Sequence, residues 1–112
     1  MTLHPEPIAV EYRGNIIWVH APTPRDFFEV NVYLANDPRT STVSEQDRTT
    51  RLGLLLGLQC ARKGQERSSE RLFPDLATAE ESCPFDLATR LAIAVGKFLR
   101  GVEEQKNFSD TT

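Results

Sequence analysis

Ile8-Ala9-Val10-Glu11-Tyr12-Arg13-Gly14-Asn15-Ile16-Ile17-Trp18-Val19 is the stretch that sets the fold class. Its first five residues alternate apolar with other positions at the period of a strand, and Ile16 to Val19 is β-branched and aromatic. Arg13-Gly14-Asn15 between them supplies the positive φ values that a tight turn demands, so the segment predicts a β-hairpin. With Gly14 and Asn15 as a two-residue loop, Tyr12 faces Ile17 and Val10 faces Val19. These four then share one face, and Glu11 stands opposite Trp18 on the other. A two-stranded hairpin is marginal alone in water, so it must pack on helices or extend another sheet.

Downstream, the hairpin runs straight into a helix start. Thr23 is a good N-cap, Pro24 suits the first helical position, and Asp26 places a carboxylate where the helix dipole favours it. A first helix is expected over 24–35 with Phe27, Val30, Tyr33 and Leu34 inward, ended by Asn36, Asp37 and Pro38. Residues 37–44 are turn formers without periodicity, which predicts an exposed, mobile loop. Ser44 followed by Asp47 then opens a second helix with an apolar stripe of Leu52, Leu55, Leu56 and Cys60, flanked by Leu54 and Leu58. Gly64, after Arg62 and Lys63, is its expected stop.

Leu72 to Leu76 offers a short helix, and Cys83-Pro84-Phe85-Asp86 repeats the helix-start logic. From there Leu87, Leu91, Ala94, Val95, Phe98 and Leu99 keep to one helical face until Gly101. The expected fold class is α+β, mostly helical, with an N-terminal β-hairpin packed on three to four α-helices. Residues 1–101 form the single domain, and 102–112 read as a flexible C-terminal tail.

Composition narrows the function. With 112 residues and a net charge of -3, the chain has one modest core and lacks the clustered basic excess of a nucleic-acid binder. Its longest apolar run, Leu54-Leu55-Leu56, is too short for a bilayer span, and the N-terminus lacks the basic and apolar regions of a signal peptide. A cytoplasmic location follows, with Cys60 and Cys83 as small apolar residues in a reducing compartment.

No constellation carries obvious chemistry. His4, His20, Cys60 and Cys83 lack the short paired spacings of a zinc site, and the glycines form no phosphate-binding loop. Cys83 before a proline at a helix start reads either as a nucleophile of lowered pKa, with His20 as base, or as a buried N-cap residue. The pair Glu80-Glu81 with Asp86 reads either as a carboxylate site or, far more commonly for such a pattern, as solvated helix-terminal charge. Gly53 and Gly57 share a helix face, for close helix approach or as tolerated glycines. Trp18 beside Ile16 is either an exposed binding anchor or core packing against a helix. No catalytic, metal or cofactor-binding residue is assigned.

The layout resembles the tail assembly chaperones of long-tailed bacteriophages of the siphophage type. The resemblance rests on Val10-Glu11-Tyr12-Arg13-Gly14-Asn15-Ile16-Ile17-Trp18-Val19 leading to Ala21-Pro22-Thr23-Pro24-Arg25-Asp26-Phe27, and on Phe85-Asp86-Leu87-Ala88 through Val95-Gly96-Lys97-Phe98-Leu99 before a polar tail. It implies a mainly helical, self-associating, non-enzymatic protein of the host cytoplasm that binds the tape-measure protein and keeps it soluble during tail assembly. Ribosomal frameshifting is common in that family. Lys106-Asn107-Phe108 can be encoded across a slippery heptamer, A-AAU-UUU, which the codons would decide.

An apolar groove between the second and last helices would receive the partner's amphipathic segments. Its candidate residues are Leu52, Leu55, Leu56, Leu91, Val95 and Phe98, with Trp18 as a separate anchor; each helical one is equally explained as intramolecular core. Two alternatives remain: a structural virion component such as a tail-completion or head-tail connector protein, whose hairpin adds strands between subunits, and a small enzyme using Cys83.

Overall fold

The computed structural model describes the backbone of residues 5–110 and the side chains of residues 5–39 and 42–100. Strands β1 (Ile8–Tyr12) and β2 (Asn15–Val19) pair antiparallel, with Tyr12 opposite Asn15, Val10 opposite Ile17 and Ile8 opposite Val19. The turn is therefore Arg13-Gly14, at φ 50° and 80°, as a two-residue loop with positive φ at both positions requires. Arg13 tolerates that conformation while its guanidinium lies 5.3 Å from the centre of the Tyr12 ring.

This register is shifted by two residues from the expected one. Asn15, a turn former by residue type, belongs to the strand. Because side chains alternate with period two, an even shift preserves which residues share a face. Val10, Ile17 and Val19 are accordingly all buried.

Helix α1 (Pro24–Ala35) begins with a reciprocal cap: Asp26 N–H donates to the Thr23 hydroxyl at 3.3 Å, and Thr23 N–H donates to the Asp26 carboxylate at 2.8 Å. Its core face is as expected, with Val30 and Leu34 buried and Phe27 and Tyr33 packed against the same cluster. Residues Pro38–Thr42 form a short 3-10 turn where an irregular loop was expected, capped by the Asp37 carboxylate, which accepts from Arg39 N–H at 2.9 Å.

Helix α2 (Glu45–Cys60) starts on Ser44, whose hydroxyl accepts from Asp47 N–H at 3.2 Å. It ends earlier than Gly64 because the next two residues leave the helix for the sheet. Strand β3 (Ala61–Arg62) pairs antiparallel with β2, Ala61 opposite Val19 and Arg62 opposite Trp18. The order is β1-β2-β3, so the hairpin does extend into a larger sheet. Gly64, at φ 93°, serves the return of the chain, in which Lys63 N–H donates to the Glu70 carbonyl and Leu72 N–H to that of Ala61.

The short helix expected over 72–76 lies further on, as α3 (Leu76–Ser82), because the Asp75 carboxylate caps Thr78 N–H at 2.7 Å. Helix α4 (Phe85–Asp110) then crosses the sheet and α2. Its helix passes through Gly101, where the sequence pattern placed its end; the side chains of the expected tail lie outside the described residues. Helices α2 and α4 pack through Leu55, Leu91 and Val95, and at Gly57 the two backbones nearly touch. One core thus joins hairpin and helices.

Candidate functional site

Direct contact between α2 and α4 closes the groove that was expected between them. Leu55, Leu56, Leu91 and Val95 are at most 2% exposed and form the centre of the core. Leu52 and Phe98 are half-buried and pack on its margin. Trp18 belongs to neither group: it is half-buried on the face of the sheet opposite Val10 and Ile17, beside Ile16, which is 54% exposed.

An apolar cleft opens instead at one end of the α2–α4 contact, beside α3, which packs on α2. It has a volume of about 280 Å³ and is lined by Leu54, Leu55 and Leu58 of α2, Ala79 of α3, Cys83, and Ala88 of α4, so that of the expected groove residues Leu55 alone reaches it. Leu54 and Leu58 are four residues apart and so share a helix face. Ala79 and Ala88 stand where larger side chains would fill the space, which is why a cleft exists. Phe85 stands at its rim, 76% exposed, the most exposed large apolar side chain among the described residues. As the first residue of α4 it lies ahead of the stripe Leu87, Leu91, Ala94 that buries the helix.

The opposite rim is charged. Arg51 donates to both carboxylate oxygens of Glu80, at 3.0 and 2.9 Å, and lies 2.7 Å from an Asp37 oxygen. Tyr33 donates its hydroxyl to Glu80 at 2.6 Å. Burial and this hydrogen bond to a carboxylate push the Tyr33 hydroxyl up to about 12. For Glu80, burial acts upward, but Arg51 and Tyr33 outweigh it and hold the carboxyl below its ordinary value. The network ties α1, the 3-10 turn, α2 and α3 together, so the cleft has a fixed rim.

A second, polar junction lies between α1, α2 and β3. Gln59 is 4% exposed, donating to Glu29 at 2.6 Å and Asp26 at 3.3 Å and accepting from Arg71 at 2.7 Å. His20 lines a pocket here with Thr23, Asp26 and Arg62, and burial lowers its pKa. Cys83 lies in the other cleft, so the structure does not bring the candidate base and nucleophile into one pocket. Its thiol is raised, by burial and by Asp86, which is opposite to what the nucleophile reading requires. Burial also pushes the Cys60 thiol up to about 12.

Among the described residues, no group of three or more His, Cys, Asp or Glu side chains is placed to hold a metal ion, and no helix is long and apolar enough to cross a membrane. His4 lies outside the described residues. Helical periodicity gives no sign of Phe85 and Leu54 as surface features, because it selects the residues on the apolar stripe. An aromatic residue just off that stripe was the available signal. Comparison with protein-family models, with curated proteins and with solved structures returns no match.

Proposed function

We propose that the chain is a non-enzymatic binding protein that covers apolar helical stretches of a long partner and keeps them soluble until assembly. The observation that carries this reading is Phe85, 76% exposed at the rim of an apolar cleft that no side chain among the described residues fills. An amphipathic helix laid across α3 and the start of α4 would insert one large apolar side chain between Leu54, Leu58 and Ala88 and stack another on Phe85. Phe28, 68% exposed, and Val32, 42% exposed, give α1 a second apolar strip one turn in length. Two such surfaces on one small domain favour a partner with repeated apolar segments.

The sequence resemblance supplies the partner: the tape-measure protein of a phage tail, bound in the host cytoplasm by several self-associating copies. Co-expression tests this reading. The chain is expected to hold that long helical protein in the soluble fraction, and Phe85→Ser, at an exposed position, to abolish the effect while leaving the chain itself folded. Equal solubility with and without the chain, or with Phe85→Ser in place of the wild type, contradicts it.

A further inference from the structure

Strand β1 is an outer edge of the sheet. The Tyr12–Asn15 pair flanking the turn fixes its hydrogen-bond phase: backbone groups of Ile8, Val10 and Tyr12 face β2, and those of Ala9 and Glu11 point outward. The outward Glu11 carbonyl accepts from the Arg90 guanidinium at 3.0 Å. Ala9 N–H, Ala9 C=O and Glu11 N–H have no partner among the described residues. Alongside them runs an open groove of about 330 Å³, bounded by Ile8 and Val10 on the strand and by Arg90, Ile93 and Lys97 on α4. Ile93 is 53% exposed.

We propose that this edge is completed by β1 of a second copy of the chain, paired antiparallel about a two-fold axis at Ala9, so that one sheet runs through both copies. In this register the two Ala9 residues exchange N–H···O bonds, and each Glu11 N–H reaches the Pro7 carbonyl of the second copy. The remaining outward groups match for a specific reason. Pro7 has no N–H to give, and the Glu11 carbonyl opposite it already has Arg90. A register centred on Val10 would instead have to take that carbonyl away from Arg90.

The side chains fit the same register. Ile8 lies opposite Val10 of the second copy, over the exposed Ile93, which gives the groove an apolar cover. Glu6, held extended by the proline that follows it, lies opposite Tyr12 of the second copy, whose ring carries the Arg90 guanidinium 5.8 Å from its centre. Acidic and basic groups therefore meet across the axis, and each copy supplies both. Such a self-complementary edge selects a second copy over an unrelated extended peptide.

This pairing is independent of the Phe85 cleft, and sedimentation equilibrium of the full chain tests it. The wild type is expected to dimerise with a dissociation constant below about 1 mM. Ala9→Pro removes an outward N–H and no β1–β2 bond, and should weaken dimerisation at least about tenfold with the circular dichroism spectrum retained. Should Ala9→Pro fold poorly, Ile93→Lys, on the exposed face of α4, is expected to give the same loss. Phe85→Ser should leave the dimer intact. A wild type that stays monomeric, or a dimer that persists in Ile93→Lys or in folded Ala9→Pro, overturns the proposal. So does capture of an unrelated extended peptide at this edge by a monomeric chain.

Discussion

Gly57 of α2 lies so close to Ala92 of α4 that a Cβ on it would stand 2.7 Å from the Ala92 backbone nitrogen. The nearest obstacle is backbone, which has no flexible end to swing aside. Gly57→Ala is therefore expected to destabilise the chain by about 1–3 kcal/mol through overpacking. At Gly53, one turn earlier, a Cβ would meet nothing within 4 Å. Gly53→Ala should stabilise by about 0.5–1 kcal/mol through helix propensity alone. Urea denaturation of both variants checks the pair, and effects of the same sign would contradict the packing described.

Acid sensitivity should centre on Arg51. The Arg39 and Arg51 guanidinium groups hold the Asp37 carboxyl well below the usual range, and Arg51 with Tyr33 holds Glu80 below it against the upward pull of burial. Carboxyl groups whose pKa is lowered in the folded state add stability that is complete above their unfolded values and lost as pH falls through the folded ones. Stability should thus drop as pH is lowered from about 4.5 toward 2. Arg51→Met should flatten that drop, measured as the urea midpoint at each pH. An equally steep decline in both proteins would remove the network from the account.

The thiols should be slow. With Cys60 pushed up to about 12 by burial and Cys83 raised by burial and Asp86, neither is a ready thiolate near neutral pH. In native protein, a disulfide-exchange reagent should modify Cys83 more slowly than it modifies a small free thiol, and should reach Cys60 only on unfolding. Rapid modification of Cys83 would restore the nucleophile reading.

Gln59 joins three elements through one amide. Gln59→Leu leaves Glu29 and Arg71 without the bonds now made at 2.6 and 2.7 Å, and puts an apolar side chain at a buried position between them, with Glu29 keeping its pair to Arg25. A loss of about 1–3 kcal/mol is expected, read from thermal or urea unfolding. A neutral outcome would mean that Glu29 and Arg71 find each other or solvent at no cost.

Local signals carried much of the architecture. Thr23 with Asp26, and Ser44 with Asp47, announce helix starts through side chains that bond their own backbone, so neighbours in sequence suffice. The stripe from Leu87 to Val95 likewise marks a buried face by spacing alone. Strand β3 was not legible, because Ala61 and Arg62 continue a helical pattern and become a strand only where β2 offers Trp18 and Val19 as partners. The turn at Arg13-Gly14 was misplaced by one residue because Asn15 is as good a turn former as Arg13 is a poor one.

The site was less legible than the fold for a similar reason. Apolar residues at helical spacing are chosen by the core and by partners alike, and periodicity cannot separate Leu55, fully buried at the floor of the cleft, from Leu54, half-buried on its wall. The cleft depends on Ala79 and Ala88 being small and on α3 packing on α2 beside the start of α4. Only the three-dimensional arrangement reveals that combination.

On the proposed function, the apolar cleft beside Phe85 receives a helical segment of a long partner. The most direct test is an NMR titration of the isotope-labelled chain with an amphipathic helical peptide from the tape-measure protein. Amide shifts are expected to concentrate at Leu54, Leu58, Ala79, Phe85 and Ala88, with affinity at least about tenfold weaker in Phe85→Ser. Saturable binding that leaves those residues unmoved, or no binding by a folded chain, would contradict it.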